Sequence, residues 1–412
     1  MNSNRSTLAV ALLVLGVSWP VAAEDWPQWR GPDRSDVSRE TGLLQAWPSG
    51  GPKRAWMNQE CGLGYSGFAI VGERLYTLGE EEGKQFVICL NAANGEALWR
   101  QTVGENFNND WGNGPRTTPT IDQGELFVLS ADGNLSCLDT ADGKIKWTVS
   151  LQKFGGKVPS WGYSESVLVD GERVVCTPGG SEGTVLALRR QDGSKIWQSS
   201  QITDQAHYSS IVPATIEGKP QYVQLTPEHV FAVDPESGNL LWQVDWGGRV
   251  AVIPTPIVRG NEVYVTSGYG TGSMKVKVEN GQAETVWRNK VMKNHHGGVI
   301  LVGEHLYGHS DDSGWTCQDW ASGARVWTDE ESLGKGAIGY ADGRFYCLDE
   351  SNGTLVLIEA SPEGWKESGR FKLDPQSQRR KPAGRIWVHP TIANGRLYLR
   401  DQEIVYCYEI QR

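Results

Sequence analysis

Apolar positions in this chain come in runs of four to six residues, and eight times such a run turns at a glycine and re-enters another. The turns fall at Gly72, Gly124, Gly171, Gly218, Gly260, Gly303, Gly343 and Gly395. Short alternating or apolar runs punctuated by Gly, Asn and Asp predict buried antiparallel strands. Residues 116–149 show one unit in full. Thr118–Ile121 predicts an inner strand, Leu126–Ser130 a second, Leu135–Asp139 a third and Lys144–Val149 an outer one. The link Ala131-Asp132-Gly133-Asn134 is a turn composition that favours positive φ. Trp99, Trp147, Trp197, Trp242, Trp287 and Trp327 close successive units, Trp56 precedes the first, and Phe371 stands in the seventh. Steps of 40 to 50 residues between these positions predict an all-β, eight-bladed β-propeller of four-stranded antiparallel blades.

The two ends fit together. Arg396–Arg400 and Ile404–Glu409 are strands with no outer strand after them, whereas the segment around Trp56 is an outer strand with no blade before it. The N-terminal strand is therefore expected to complete the C-terminal blade and close the ring, which removes free ends from the array. Five outer strands share the spacing Gly-x-x-x-Trp, as in Gly143 to Trp147. The glycine suits a tight turn and the indole is expected to lie between blades as structural glue. Blade seven, with Phe371 and an altered turn at Pro362-Glu363-Gly364, is the weakest repeat.

Residues 1–23 read as a secretion signal: Arg5, an apolar Leu8–Val17 and the small-residue site Val21-Ala22-Ala23. Residues 24–44 form a lead-in and 45–412 the propeller. The apolar stretch is too short to span a bilayer, and no later run approaches spanning length. An exported chain, periplasmic or secreted, soluble and monomeric, is expected. Its formal net charge of −10 disfavours nucleic acid. Arg379-Arg380-Lys381 is the one dense basic run and reads as a solvated loop. Seven cysteines cannot all pair. Cys89, Cys137 and Cys407 recur at one strand position, as small buried residues would, while Cys61 in a glycine-rich loop is a candidate free thiol.

The run Cys137-Leu138-Asp139-Thr140-Ala141-Asp142-Gly143-Lys144-Ile145-Lys146-Trp147 resembles the pyrroloquinoline quinone (PQQ) repeat, and the likeness spans roughly residues 45–410. Asp25-Trp26-Pro27-Gln28-Trp29-Arg30-Gly31-Pro32 is similar to the lead-in of many exported members. That superfamily holds quinoprotein alcohol dehydrogenases and the propeller lipoprotein of outer-membrane barrel assembly. The first likeness implies PQQ with calcium and an alcohol or polyol dehydrogenase; the second implies a protein-interaction scaffold in the cell envelope. The adjacent cysteine pair of the dehydrogenases is absent, as is a Cys-x-x-Cys-His haem motif.

Chemistry in a propeller is expected where each outer strand passes into the next inner strand, because ring closure brings those positions to the axis. They include Asn113, Arg116, Trp161, Tyr163, Glu165, His207, Tyr208, His295, His296, Trp387 and His389. Three readings stand together. These side chains fill a channel mouth, or they bind a small molecule or protein segment, or His207, His295, His296 and His389 with Glu165 hold a metal. In the second reading Trp111, Trp161, Tyr163 and Trp387 are walls and Arg116 meets an anionic group. On a strand His295 and His296 would point apart, leaving one of them for a shared ion. Gly268-Tyr269-Gly270-Thr271-Gly272 leads into another strand pattern and predicts a hairpin turn, not a phosphate loop.

Overall fold

The computed structural model describes residues 24–412; the secretion signal inferred for residues 1–23 lies outside them. Eight four-stranded antiparallel sheets form the blades of a ring. The second blade has strands Thr120–Asp122, Glu125–Leu129, Asn134–Asp139 and Ile145–Ser150, close to the boundaries read from the sequence. Closure occurs as expected. Strand Arg54–Asn58 pairs with Ile404–Glu409, with Trp56 opposite Cys407 and Asn58 opposite Val405, and so supplies the outer strand of blade 8.

The turn glycine of one blade and the tryptophan of the preceding blade fit each other. Gly95 has φ +77°, and a Cβ there would lie 2.4 Å from the Trp56 ring; Gly143 stands in the same relation to Trp99 at 2.6 Å. Indoles also donate their N–H across the junction, from Trp56 to the Ala92 carbonyl (3.0 Å) and from Trp147 to the Arg190 carbonyl (2.8 Å). Only a residue without a side chain admits the ring this closely. In blade 7 the smaller Phe371 is supplemented by Trp47 of the N-terminal region, edge-on at 5.8 Å. Trp147→Ala is expected to cost about 3–5 kcal/mol by removing a buried ring and stranding a carbonyl; urea unfolding checks this, and an unchanged midpoint would contradict the interlock.

The lead-in lines one end of the channel. Trp26 and Ile70 exchange backbone hydrogen bonds at 2.7 Å, and Ile121 N–H donates to Pro27 (2.8 Å). Buried Arg34 donates to carbonyls of Ser166, Val167 and Ile211 on blades 3 and 4, and Arg30 donates to Val299 on blade 6. Tyr340 of blade 7 pairs with Asp36 and Ser38, and Glu40 accepts the Gly395 N–H of blade 8 at 2.8 Å. These guanidiniums satisfy inner-strand carbonyls that a channel would otherwise leave to water. The segment thereby gives the channel a floor, which includes Trp29.

All seven cysteines are buried and unpaired with one another. Burial pushes the Cys61 thiol up to about 12 despite nearby Arg400, so it is an inert core residue. Among the described residues no helix is long and apolar enough to cross a membrane.

Candidate functional site

A cavity of about 360 Å³ lies on the axis above Trp29. The segments leading into the inner strands supply its wall, because corresponding positions of the repeat converge there. Tyr65 comes from blade 1, Arg116 and Trp111 from blade 2, Trp161 from blade 3 and Tyr208 from blade 4. Ala251 and Ile253 of blade 5 form an apolar sector. Blades 6 to 8 supply His295, His296, Lys335, Glu350, Arg385, Trp387 and His389. Trp111 and Tyr269, both exposed, stand at the mouth. One half of the wall is thus aromatic and the other titratable.

The titratable half is tightly wired. Lys335 Nζ lies 2.7 Å from both Asp311 Oδ1 and His295 Nδ1. Trp387 donates its indole N–H to Glu350 Oε2 at 3.1 Å and stacks on His296 with ring centroids 4.6 Å apart. His296 Nδ1 is 3.9 Å from that same oxygen. Burial, then Lys335, hold His295 down to about 4, and burial followed by His295 holds His296 well below the usual range. Both rings are neutral at pH 7. Burial pushes Glu350 up to about 7 against the pull of Lys335 and the Trp387 hydrogen bond.

Charge in the cavity runs opposite to that of the chain. Arg116, brought down to about 10 by burial, is still a cation at pH 7. It donates to the carbonyls of Gly112 and Gly114, and Arg385 to those of Pro382 and Gly384. Lys335 is the third lining cation and Glu350 the sole lining carboxylate among the described residues. Three lining cations against Glu350, with Asp311 paired to Lys335, give the wall a charge opposite in sign to the chain's net −10.

Several residues singled out by sequence lie elsewhere. Tyr163 is fully buried in the core and donates its hydroxyl to the Pro178 carbonyl at 3.1 Å. Glu165 is buried between blades 3 and 4, accepting from Thr177 N–H (2.6 Å) and Thr177 Oγ1 (3.0 Å). Burial raises it to about 7. Asn113 ties the loop through Asn108, and His207 Nδ1 accepts the Val252 N–H at 3.1 Å beside Tyr208; neither lines the cavity. Arg116, Trp161, Tyr208, His295, His296, Trp387 and His389 do.

His295 and His296 do not point apart. Their segment is not a strand, and the ring centroids are 3.8 Å apart. The metal reading fails on geometry. His389 uses both ring nitrogens, on Asp36 Oδ2 and the His296 carbonyl, each at 2.8 Å. Among the described residues no three His, Cys, Asp or Glu side chains are placed to hold an ion.

The basic run is no free loop either. Arg379 pairs with Glu81, Arg380 with Asp401, and Lys381 donates to the Asn109 carbonyl. The predicted hairpin turn at Gly268–Gly272 is present, between strands Glu262–Ser267 and Gly272–Glu279, and it delivers Tyr269 to the cavity.

Lys335, Glu350, Asp311, Arg385 and Trp29 went unread. Lys335 occupies the blade 7 position equivalent to those already considered, so carrying the repeat alignment through that blade would have found it. Glu350, Asp311 and Tyr269 occupy turns between second and third strands, a register that residue type alone does not flag.

Aromatic walls and three cations suit a planar polycarboxylate such as PQQ. The donor set does not suit calcium, which takes roughly six to eight oxygen ligands. Among the described residues Glu350 is the only lining carboxylate, and one of its oxygens is engaged by Trp387.

The closed ring, the Gly–Trp interlock and the repeat together define an eight-bladed PQQ-like propeller. A family model described as outer membrane protein assembly factor BamB matches residues 83–329, and the chain belongs to that family. It is 25% identical to the outer membrane protein assembly factor BamB of Yersinia pestis over 302 residues, covering 68% of this chain and 71% of the relative. A tetrathionate hydrolase of Acidithiobacillus ferrooxidans is 24% identical over 198 residues, 45% of this chain and 38% of the relative.

Among solved structures, BamB from Moraxella catarrhalis superposes with TM-score 0.61 at 15% identity, covering 84% of this chain and 96% of that one. A quinohemoprotein alcohol dehydrogenase from Comamonas testosteroni gives TM-score 0.62 at 12% identity, with coverage of 93% and 80%. These structural likenesses establish the fold alone.

Proposed function

We propose that the axial cavity binds a small anionic molecule with an apolar face. The observation that carries this reading is a cavity whose three cations and aromatic walls oppose the acidity of the chain. Its volume, about 360 Å³, lies in the range of small-molecule pockets. The same reading takes residues 1–23 as a cleaved signal, 24–44 as lead-in and 45–412 as propeller, exported as a soluble monomer.

Calorimetry and tryptophan fluorescence with PQQ, trigalacturonate and the neutral sugar maltotriose test the binding site. The anions are expected to bind and to weaken with added salt, and maltotriose is not. Arg116→Ala and Trp161→Ala should each weaken anion binding about tenfold, equivalent to about 1.4 kcal/mol. Failure of every anion to bind the folded protein would end the reading.

Family membership favours a second reading, a protein-interaction scaffold of the cell envelope. Crosslinking in cells is then expected to capture outer-membrane assembly proteins, and Arg116→Ala should leave that capture unchanged. A crosslinking pattern indistinguishable from that of an unrelated exported protein would count against it.

A further inference from the structure

We infer that the cavity is catalytic: Glu350 moves a proton at the carbon beside the carboxylate of a bound uronide, a carboxylated sugar, while Lys335 holds that carboxylate. The inference rests on the small-anion reading above. Lys335 and Glu350 are firmly placed. Glu350 N–H donates to the Lys335 carbonyl and Ile386 N–H to the Glu350 carbonyl, each at 2.8 Å. Three segments of blades 7 and 8 thus fix one another at the cavity wall. Trp387 pins Glu350 Oε2, and among the described residues no donor meets Oε1, which is left for a ligand proton.

Lys335 is equally defined. An ammonium has three protons, and Asp311 and His295 take two. One is left for a ligand carboxylate. Because Lys335 donates to His295 Nδ1, neutral His295 carries its own proton on Nε2. Trp161 of blade 3, and Trp111 with its ring centroid 6.4 Å from that of Trp387, offer flat apolar faces to the C–H face of a sugar ring. The groups around Glu350 are Lys335, Arg385, Asp311, His296 and Trp387. Burial raises its carboxyl to about 7 against Lys335, Trp387 and Arg385, near neutral pH, where a proton-transfer group works best.

The chemistry closes without a co-reactant. Glu350 as carboxylate takes the proton from the ring carbon that bears the uronide carboxylate, and that C–H pair becomes a C=C bond to the neighbouring carbon. The bond from that neighbour to the glycosidic oxygen breaks, its electrons leaving on oxygen. Glu350 then returns the proton to the oxygen and regains its starting form. Negative charge developing on the substrate carboxylate falls beside Lys335.

The test uses the full exported protein and trigalacturonate. Wild type should release an unsaturated product, read by its ultraviolet absorbance, with a rate that rises with pH through about 7 as Glu350 ionises. Glu350→Gln should bind within about threefold of wild type yet lose at least about 100-fold in turnover. Trp387→Phe removes the hydrogen bond that favours the carboxylate and should move the pH limb upward, which a purely structural role would not do. Binding without unsaturated product and without ring C–H exchange in deuterated water would overturn the inference while leaving the binding site standing. Unchanged turnover in Glu350→Gln would overturn it too. If PQQ binds and trigalacturonate does not, the uronide assignment falls and the small-anion reading survives.

Discussion

Removal of residues 24–58 is expected to abolish the folded ring rather than shorten it. The cut takes away the outer strand Arg54–Asn58, so Ile404–Glu409 becomes an unpaired edge open to intermolecular pairing. It also takes away Trp26, Leu43, Trp47 and Trp56, all buried, and with Trp47 the ring that supplements Phe371. Arg30 and Arg34 go as well, leaving carbonyls of Ser166, Val167, Ile211 and Val299 without their donors. Each stranded carbonyl costs roughly 1–3 kcal/mol, and each large buried ring about 3–5. A total stability of about 5–15 kcal/mol does not survive that sum. The expected result is aggregation and no cooperative thermal transition by circular dichroism. A monomeric product with the wild-type Tm would defeat the closure argument. A shorter deletion of residues 24–44 keeps the closing strand with Trp47 and Trp56 and should destabilise the ring less than the longer cut.

The architecture was legible because it repeats: eight copies of one strand-turn pattern average out the ambiguity of any single run. Strand ends moved by only one or two residues, as in Thr118–Ile121 against the observed Thr120–Asp122. Closure could be read from two incomplete blades that complement each other. The site was legible as a set of positions but not as a set of directions. In the segments that lead to the inner strands, adjacent residues face either the axis or the gap between blades. Trp161 lines the cavity whereas Tyr163 is in the core; Tyr208 lines it whereas His207 beside it does not. Aromatic and charged types occur on both sides, so composition does not separate them. Lys335 and Glu350 meet through a backbone hydrogen bond between segments fifteen residues apart, and Trp29 comes from a lead-in that has no repeat to index it. Those placements depend on how loops cross the ring, which periodicity does not encode.

Arg400→Met should destabilise the protein by about 3–5 kcal/mol, because one side chain joins the last blade to the first. Arg400 is fully buried in strand Arg396–Asp401. Its Nη1 donates to Leu78 carbonyl and Thr77 Oγ1, each at 2.7 Å, and to Ser66 carbonyl at 3.1 Å. Its Nη2 donates to Gly62 at 3.0 Å and Cys61 at 3.4 Å, and Nε to Gln402 at 2.7 Å. Burial lowers its pKa to about 10, with Cys61 and Glu403 opposing, so it is charged at pH 7 and all its donors are in use. Methionine fills much the same space but offers none, leaving several blade 1 acceptors unpaired at roughly 1–3 kcal/mol each, partly relieved by water. Arg400→Lys should recover only part of the loss, since an ammonium has three protons and lacks the planar fork that reaches both Leu78 and Gly62. Urea unfolding monitored by tryptophan fluorescence orders the three proteins, with wild type above Lys above Met. A Met variant at the wild-type midpoint would mean that the ring is held by the Arg54–Asn58 strand alone and that the guanidinium is dispensable.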